Sequence, residues 1–186
     1  MRFWSIPKKL KIFTFFFCSV AMYILTIFSV NAQDGLTDKS QVFINGIGSV
    51  RVGMTVEQAS RAAGIKMINN GDFGSCSQFK LQDKPEGIEF MATNGIIARV
   101  DVYENKRIAT VRGARIGDTK ARIISLYKGR IQETNSESSS TIKLLKFTPT
   151  DRNYKNYRLI FEIYKNRVHS FRSGRLPEVE YSEGCA

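Results

Sequence analysis

The feature that most limits how this chain can fold is a pattern that occurs twice, 64 residues apart. Val50-Arg51-Val52-Gly53-Met54-Thr55 opens a helical stretch running through Ala63, and Ala114-Arg115-Ile116-Gly117-Asp118-Thr119 opens another running through Tyr127. In each, the Thr two residues after the Gly is placed to cap the helix, because its hydroxyl can accept from an N–H of the first turn that has no helical partner. Gly64 and Gly129 follow as stops. Val56, Ala59 and Ala63 share one face of the first helix; Ile123, Leu126 and Tyr127 share one face of the second.

Strand signals follow each helix. Residues 88–92 and 96–103 flank Asn94-Gly95, and residues 158–163 and 167–173 flank Lys165-Asn166, now at a spacing of 71. The excess lies in the polar, Ser-rich stretch 133–141, which reads as a loop. The expected fold is α+β: two tandem repeats, residues 42–111 and 112–186, each a short helix packed on an antiparallel β-meander and sharing one globular unit.

The hairpins allow a finer expectation. A plain two-residue turn at Asn94-Gly95 sets Phe90 against Arg99 and buries charge beside apolar side chains. A three-residue loop, Thr93-Asn94-Gly95, instead pairs Ala92 with Ile96, Phe90 with Ala98 and Ile88 with Val100, and sets Glu89 opposite Arg99. The same parity in the second hairpin, with Asn166 left-handed, pairs Phe161 with His169, Leu159 with Phe171 and Arg158 with Arg172. The outward face then shows Glu89, Met91, Ile97, Arg99, Asp101 and Tyr103 from one hairpin. From the other it shows Arg158, Ile160, Glu162, Tyr164, Val168, Ser170 and Arg172.

The first 32 residues read as a secretory signal. Arg2, Lys8, Lys9 and Lys11 precede an uncharged run from Ile12 to Val30, and Val30-Asn31-Ala32 makes a small-residue exit. The apolar run, residues 12–30, is also long enough to stay as an anchor in the inner membrane. Residues 33–41 read as a polar linker. Removal of 32 residues, with four of the 28 basic ones, leaves 154 residues carrying 24 basic and 17 acidic side chains, a net charge of +7. No run of five basic residues occurs, so the charge fits either ordinary solubility or an anionic partner such as lipid headgroups or cell-wall polymer.

Of three cysteines, Cys18 lies inside the apolar run, and Phe15-Phe16-Phe17 before it is unlike a lipid-attachment site. Cys76 and Cys185 remain, and two cysteines in an exported domain are expected to pair. The alternative is a free Cys76 acting as a thiol nucleophile with His169, the only histidine. Gly74-Ser75-Cys76-Ser77 carries no nucleophile motif, and the hairpin register puts His169 on the apolar face, at the edge of the core. A lone histidine does not make a zinc site. Gly46-Ile47-Gly48 begins like a phosphate loop, but no third Gly or Lys-Ser/Thr follows. No metal, cofactor or catalytic set is expected.

The segment Val52-Gly53-Met54-Thr55-Val56-Glu57-Gln58-Ala59, with a helix closed by Gly64 and then a meander, resembles the repeat of β-lactamase-inhibitor-like exported bacterial modules. The helix opening is also similar to that of the small lipoprotein of the outer-membrane barrel-assembly machinery. The resemblance covers residues 48–103 and 112–174. It implies two helix-plus-sheet halves that present a sheet face to a protein partner. Inhibitor-type repeats hold a disulfide in each half, whereas this chain has cysteines for one. The functional expectation is therefore a periplasmic or secreted, non-catalytic binding or inhibitory module whose partner is an envelope protein. Arg99, Tyr103, Arg158, Tyr164 and Arg172 are its candidate contacts. Nucleic acid is not the expected partner.

Overall fold

A long antiparallel sheet organises the molecule. In the computed structural model, which describes residues 35–185, its strands run in the order β4-β5-β6-β7-β12-β11-β10-β9. They are β4 (Met67–Phe73), β5 (Cys76–Leu81), β6 (Ile88–Thr93), β7 (Ile96–Tyr103), β9 (Ile131–Asn135), β10 (Lys143–Phe147), β11 (Tyr157–Tyr164) and β12 (Arg167–Arg175). A smaller sheet, β3-β2-β1-β8, is made of β1 (Gln41–Phe43), β2 (Gly46–Ile47), β3 (Val50–Arg51) and β8 (Ala109–Thr110). Helix α1 (Val56–Ala63) precedes the β4–β7 meander and α2 (Lys120–Leu126) precedes the β9–β12 meander. The chain is thus α+β, with strands predominating. The expected signal, whether cut or kept as an anchor, falls on residues 1–32 and lies outside the described residues. Among those that are described, no helix is long and apolar enough to cross a membrane.

Both helices begin as the Gly-x-Thr pattern predicts. Thr55 caps α1 in a full capping box: its hydroxyl accepts from the Gln58 amide at 3.1 Å, and the Gln58 side chain accepts from the Thr55 amide at 2.9 Å. Thr119 caps α2 by accepting from the Arg122 amide at 3.2 Å. Gly64 ends α1 with φ of +65°, a conformation that favours glycine. Leu36, inside the stretch expected as linker, is buried, and its amide donates to the Ala63 carbonyl at 2.8 Å.

The hairpins differ from expectation, and in the same way. Each turns on two residues, Asn94-Gly95 and Lys165-Asn166, all four with positive φ, the type I′ geometry that matches strand twist. Each then carries a β-bulge that absorbs one residue, between Met91 and Ala92 in the first pairing and between Glu162 and Ile163 in the second. Beyond the bulge Phe90 meets Val100, Glu89 meets Asp101 and Ile88 meets Val102; Phe161 meets Phe171 and Ile160 meets Arg172. The parity objection to a short turn is met by the bulge rather than by a longer loop.

Four expected placements change with it. Ile97 belongs to the core, not the outward face. Val168 does too. Arg158 opposes Gly174, not Arg172. His169 is the extra residue of the bulge and is exposed, its ring 6.4 Å from that of Tyr164. The bulges also serve the helices. The Gly53 amide donates to the Ile97 carbonyl and the Ile97 amide to the Met54 carbonyl, both at 2.8 Å. Gly117, Val168 and Asp118 repeat the arrangement at 2.9 Å. Each helix start is thereby stitched to its own hairpin.

The main core lies on one side of the long sheet. Its inner residues, among them Phe90, Val100, Val102, Leu145, Phe161 and Phe171, pack with α1, α2 and the small sheet. The two meanders join at a seam, β7 against β12, running from Arg99–Gly174 to Tyr103–Ser170. Gly174 is required there: a Cβ on it would stand 2.5 Å from the Ala98 carbonyl oxygen and 2.8 Å from Arg99 Cα.

Candidate functional site

Among the described residues no α-helix lies over the outer side of the long sheet. Reading across the strands, one rank runs Ile68, Lys80, Glu89, Asp101, Arg172, Ile160, Lys146 and Gln132. The neighbouring ranks add Gln78, Met91, Arg99, Gly174 and Arg158 on one side, and Tyr103, Ser170, Glu162, Leu144 and Thr134 on the other.

Part of this face is covered by the chain itself. After β12 the segment from Leu176 turns back over the sheet and ends at Cys185, which is bonded to Cys76 at the start of β5. Val179 is fully buried on Leu144 and Ile160, with Ile142 and Leu176 partly buried around them. Arg99 Nη1 donates to the carbonyls of Glu178 at 3.0 Å and Tyr181 at 2.8 Å; Arg172 Nε donates to that of Val179 at 2.8 Å. Arg99 is also paired with Asp101 at 2.8 Å, and Arg172 with Glu162. Each guanidinium is therefore held by a carboxylate on the sheet and by backbone oxygens above it, which is how a buried charge is kept tolerable. Only about 4% of either arginine is exposed.

The five sequence-predicted contacts thus divide. Arg99 and Arg172 lie beneath the C-terminal segment. Tyr103 and Tyr164 are exposed at the other end of the face. Arg158 is half-buried and donates to the carbonyls of Lys155 and Tyr157 at 2.8 and 2.7 Å. Burial first, then the charges of Glu89, Glu104 and Asp101, raise the Tyr103 phenol above its ordinary pKa, so it remains a protonated donor at neutral pH. The surroundings of Tyr103 are acidic although the chain is basic overall.

Sequence reasoning missed the cover, although the expected Cys76–Cys185 pair was the signal for it. A bond from the last turn of chain to the start of β5 requires the intervening residues to cross the sheet. Phe73 was also missed; it pairs with Cys76, faces outward and is exposed.

The bonded Cys76 presents no thiolate. It also sits on β5, three strands from the His169 of β12. Among the described residues no three His, Cys, Asp or Glu side chains stand together in a way that could hold a metal ion. The face offers aromatic rings, fixed charges and paired arginines. No protein-family model matches this chain, and no curated protein sequence matches it either.

Proposed function

We propose that the chain is an exported, non-catalytic binding or inhibitory module of the bacterial cell envelope. In this reading it consists of two tandem helix-plus-meander repeats that grip a protein partner with the outer face of the long sheet. The observation that carries the proposal is where large apolar side chains are exposed. Seven are exposed among the described residues, and five of them, Ile68, Phe73, Tyr103, Tyr164 and Tyr181, stand on the outer side. Val111 and Ile124 are the other two. Aromatic anchors among charged groups are the composition of protein-binding surfaces. The repeat reading draws support from the matched caps, turns and bulges, and export from the signal-like start together with a disulfide, which persists in oxidising compartments.

The test is capture from an envelope extract by the immobilised mature chain, residues 33–186, beside a Tyr103→Ala/Tyr164→Ala double variant. The expected result is a saturable protein partner whose retention survives 0.5 M salt and falls at least tenfold in the variant. Retention that the variant leaves unchanged discards this face. Binding to anionic vesicles or cell-wall polymer that disappears with salt replaces the reading with a charge-driven one.

A further inference from the structure

The segment Leu176–Cys185 is held on the sheet largely through its backbone. Its contacts with Arg99 and Arg172 go to three of its own backbone carbonyls, not to its side chains. A single aliphatic side chain, Val179, fills the apolar spot made by Leu144 and Ile160. Gly184 lies so close to the sheet that a Cβ on it would meet Gln78 Nε2 at 2.1 Å. Two side-chain ties add to these, the buried Glu178 to Arg175 at 3.1 Å and the exposed Glu180 to Lys146 at 3.3 Å. Two donors aimed at main-chain oxygens and one pocket for an aliphatic residue describe recognition of a peptide. Any segment with an apolar residue between free carbonyls meets the same requirements.

We infer that the outer face holds a peptide-binding site whose resident occupant is the chain's own C-terminal segment, latched by the Cys76–Cys185 bond. A partner's segment of the same chemistry, with an aliphatic residue in the place of Val179, takes the site when the latch is opened. Opening is reduction by a dithiol. One thiolate of the reductant attacks a sulfur of the Cys76–Cys185 bond, and its second thiol resolves the mixed disulfide. The S–S bond of the protein breaks, one forms in the reductant, and two electrons and two protons pass to Cys76 and Cys185. Both cysteines are partly exposed, so a reductant can reach them.

The seal under the segment is imperfect in a way that favours release. Arg172 Nη2 is buried there without a protein partner, and it is better solvated once the segment lifts. A hollow of about 650 Å³, lined by Leu176, Pro177, Glu180, Tyr181 and Glu183 among others, runs along the segment's edge. That a partner supplies the competing segment rests on the proposed function; the latch itself does not.

Amide hydrogen exchange on the mature chain tests the latch. On reduction with dithiothreitol, protection within residues 176–185 is expected to fall at least tenfold while β7 and β12 keep theirs. Unchanged protection of the segment overturns the latch. Should reduction expose β7 and β12 as well, the oxidised Val179→Asp chain decides: loss confined to the segment supports a detachable cover, and loss spread through the sheet overturns it. The site is tested with a fluorescent peptide of sequence Leu176–Gly184 added to the full mature chain carrying Cys185→Ser and Val179→Asp, which weakens the tethered competitor. Saturable anisotropy is expected with this chain, and none with the oxidised wild-type chain or with a peptide carrying Val179→Asp. A released segment with no peptide binding overturns the site. Capture through Tyr103 and Tyr164 is read in a separate experiment, so either proposal can fail alone.

Discussion

The β4–β7 and β9–β12 halves share strand order, turn type and bulge, yet their helices meet the sheet by different means. The buried residues of α1 are all alanine: Ala59, Ala62 and Ala63. Backbone closes over them. The Leu36 amide reaches the Ala63 carbonyl, the Ser49 hydroxyl donates to the Ala62 carbonyl, and a Cβ on Gly35 would come within 2.7 Å of the Ala63 carbonyl oxygen. At α2 the gap is filled by rings. Tyr127 packs on Phe147 and Phe161 at centroid distances of 4.8 and 5.4 Å, and its hydroxyl donates to Thr110 Oγ1 at 2.8 Å. The Arg112 guanidinium lies 5.2 Å from the Tyr127 ring centroid. Strand register and helix-to-sheet spacing are therefore set separately: turns and bulges set the first, side-chain volume the second.

The comparison is most directly broken at Tyr127. Tyr127→Ala removes a buried ring together with its hydroxyl's bond to Thr110, so urea unfolding should show a loss of about 3–5 kcal/mol. A loss under about 1 kcal/mol would mean the ring cluster is not what holds the second half. Ala63→Leu asks the converse question. Added volume has no room beneath residues 35–36 and should destabilise by about 1–3 kcal/mol, with lost exchange protection at the Leu36 amide as its local sign. Equal tolerance of bulk at Ala63 and at Tyr127 would dissolve the distinction.

The helix starts offer a finer contrast. Thr55→Ala should lower stability by about 1 kcal/mol, and Thr119→Ala by less, because Gln58 reciprocates the cap of α1 while Arg122 in the matching place of α2 has no acceptor. The reverse order would show the box to be incidental. The smallest effect concerns the segment that ties the halves together. Burial acts to raise the Glu178 carboxyl, but its backbone amide and the Arg175 guanidinium outweigh it, and the net shift is downward. A carboxyl lowered in the folded state adds stability above its unfolded value and loses it as pH falls through the folded one. Stability should therefore decline below the ordinary value of 4.5, and Glu178→Gln should remove that component of the decline.

Much of this architecture was legible in the residues. The Gly-x-Thr openings gave both helix starts, the compartment argument gave Cys76–Cys185, and hydrophobic alternation put Ile88, Phe90, Ala92 and Val100 on the inner face. The bulges were not legible, because Ala98 and His169 carry no bulge signature; only the hydrogen bonds of Ile97 and Val168 to the loops before the helices explain why the extra residue sits there. That hidden residue misplaced Ile97, Val168 and His169 and produced an Arg158–Arg172 pair that does not exist. The outward side was read correctly for Arg99, Tyr103, Arg158, Tyr164 and Arg172. Alternation along a strand says which side a residue takes, however, and nothing about a distant segment folding over it.

The single disulfide also simplifies how the chain can mature. Past residue 32 the sequence holds two cysteines, separated by 109 positions. In the proposed mature chain two thiols admit one intramolecular pairing, so oxidation within a monomer cannot scramble and an oxidant suffices without an isomerase. In the proposed exported chain the bond therefore forms only after Cys185 has reached the compartment that already holds Cys76.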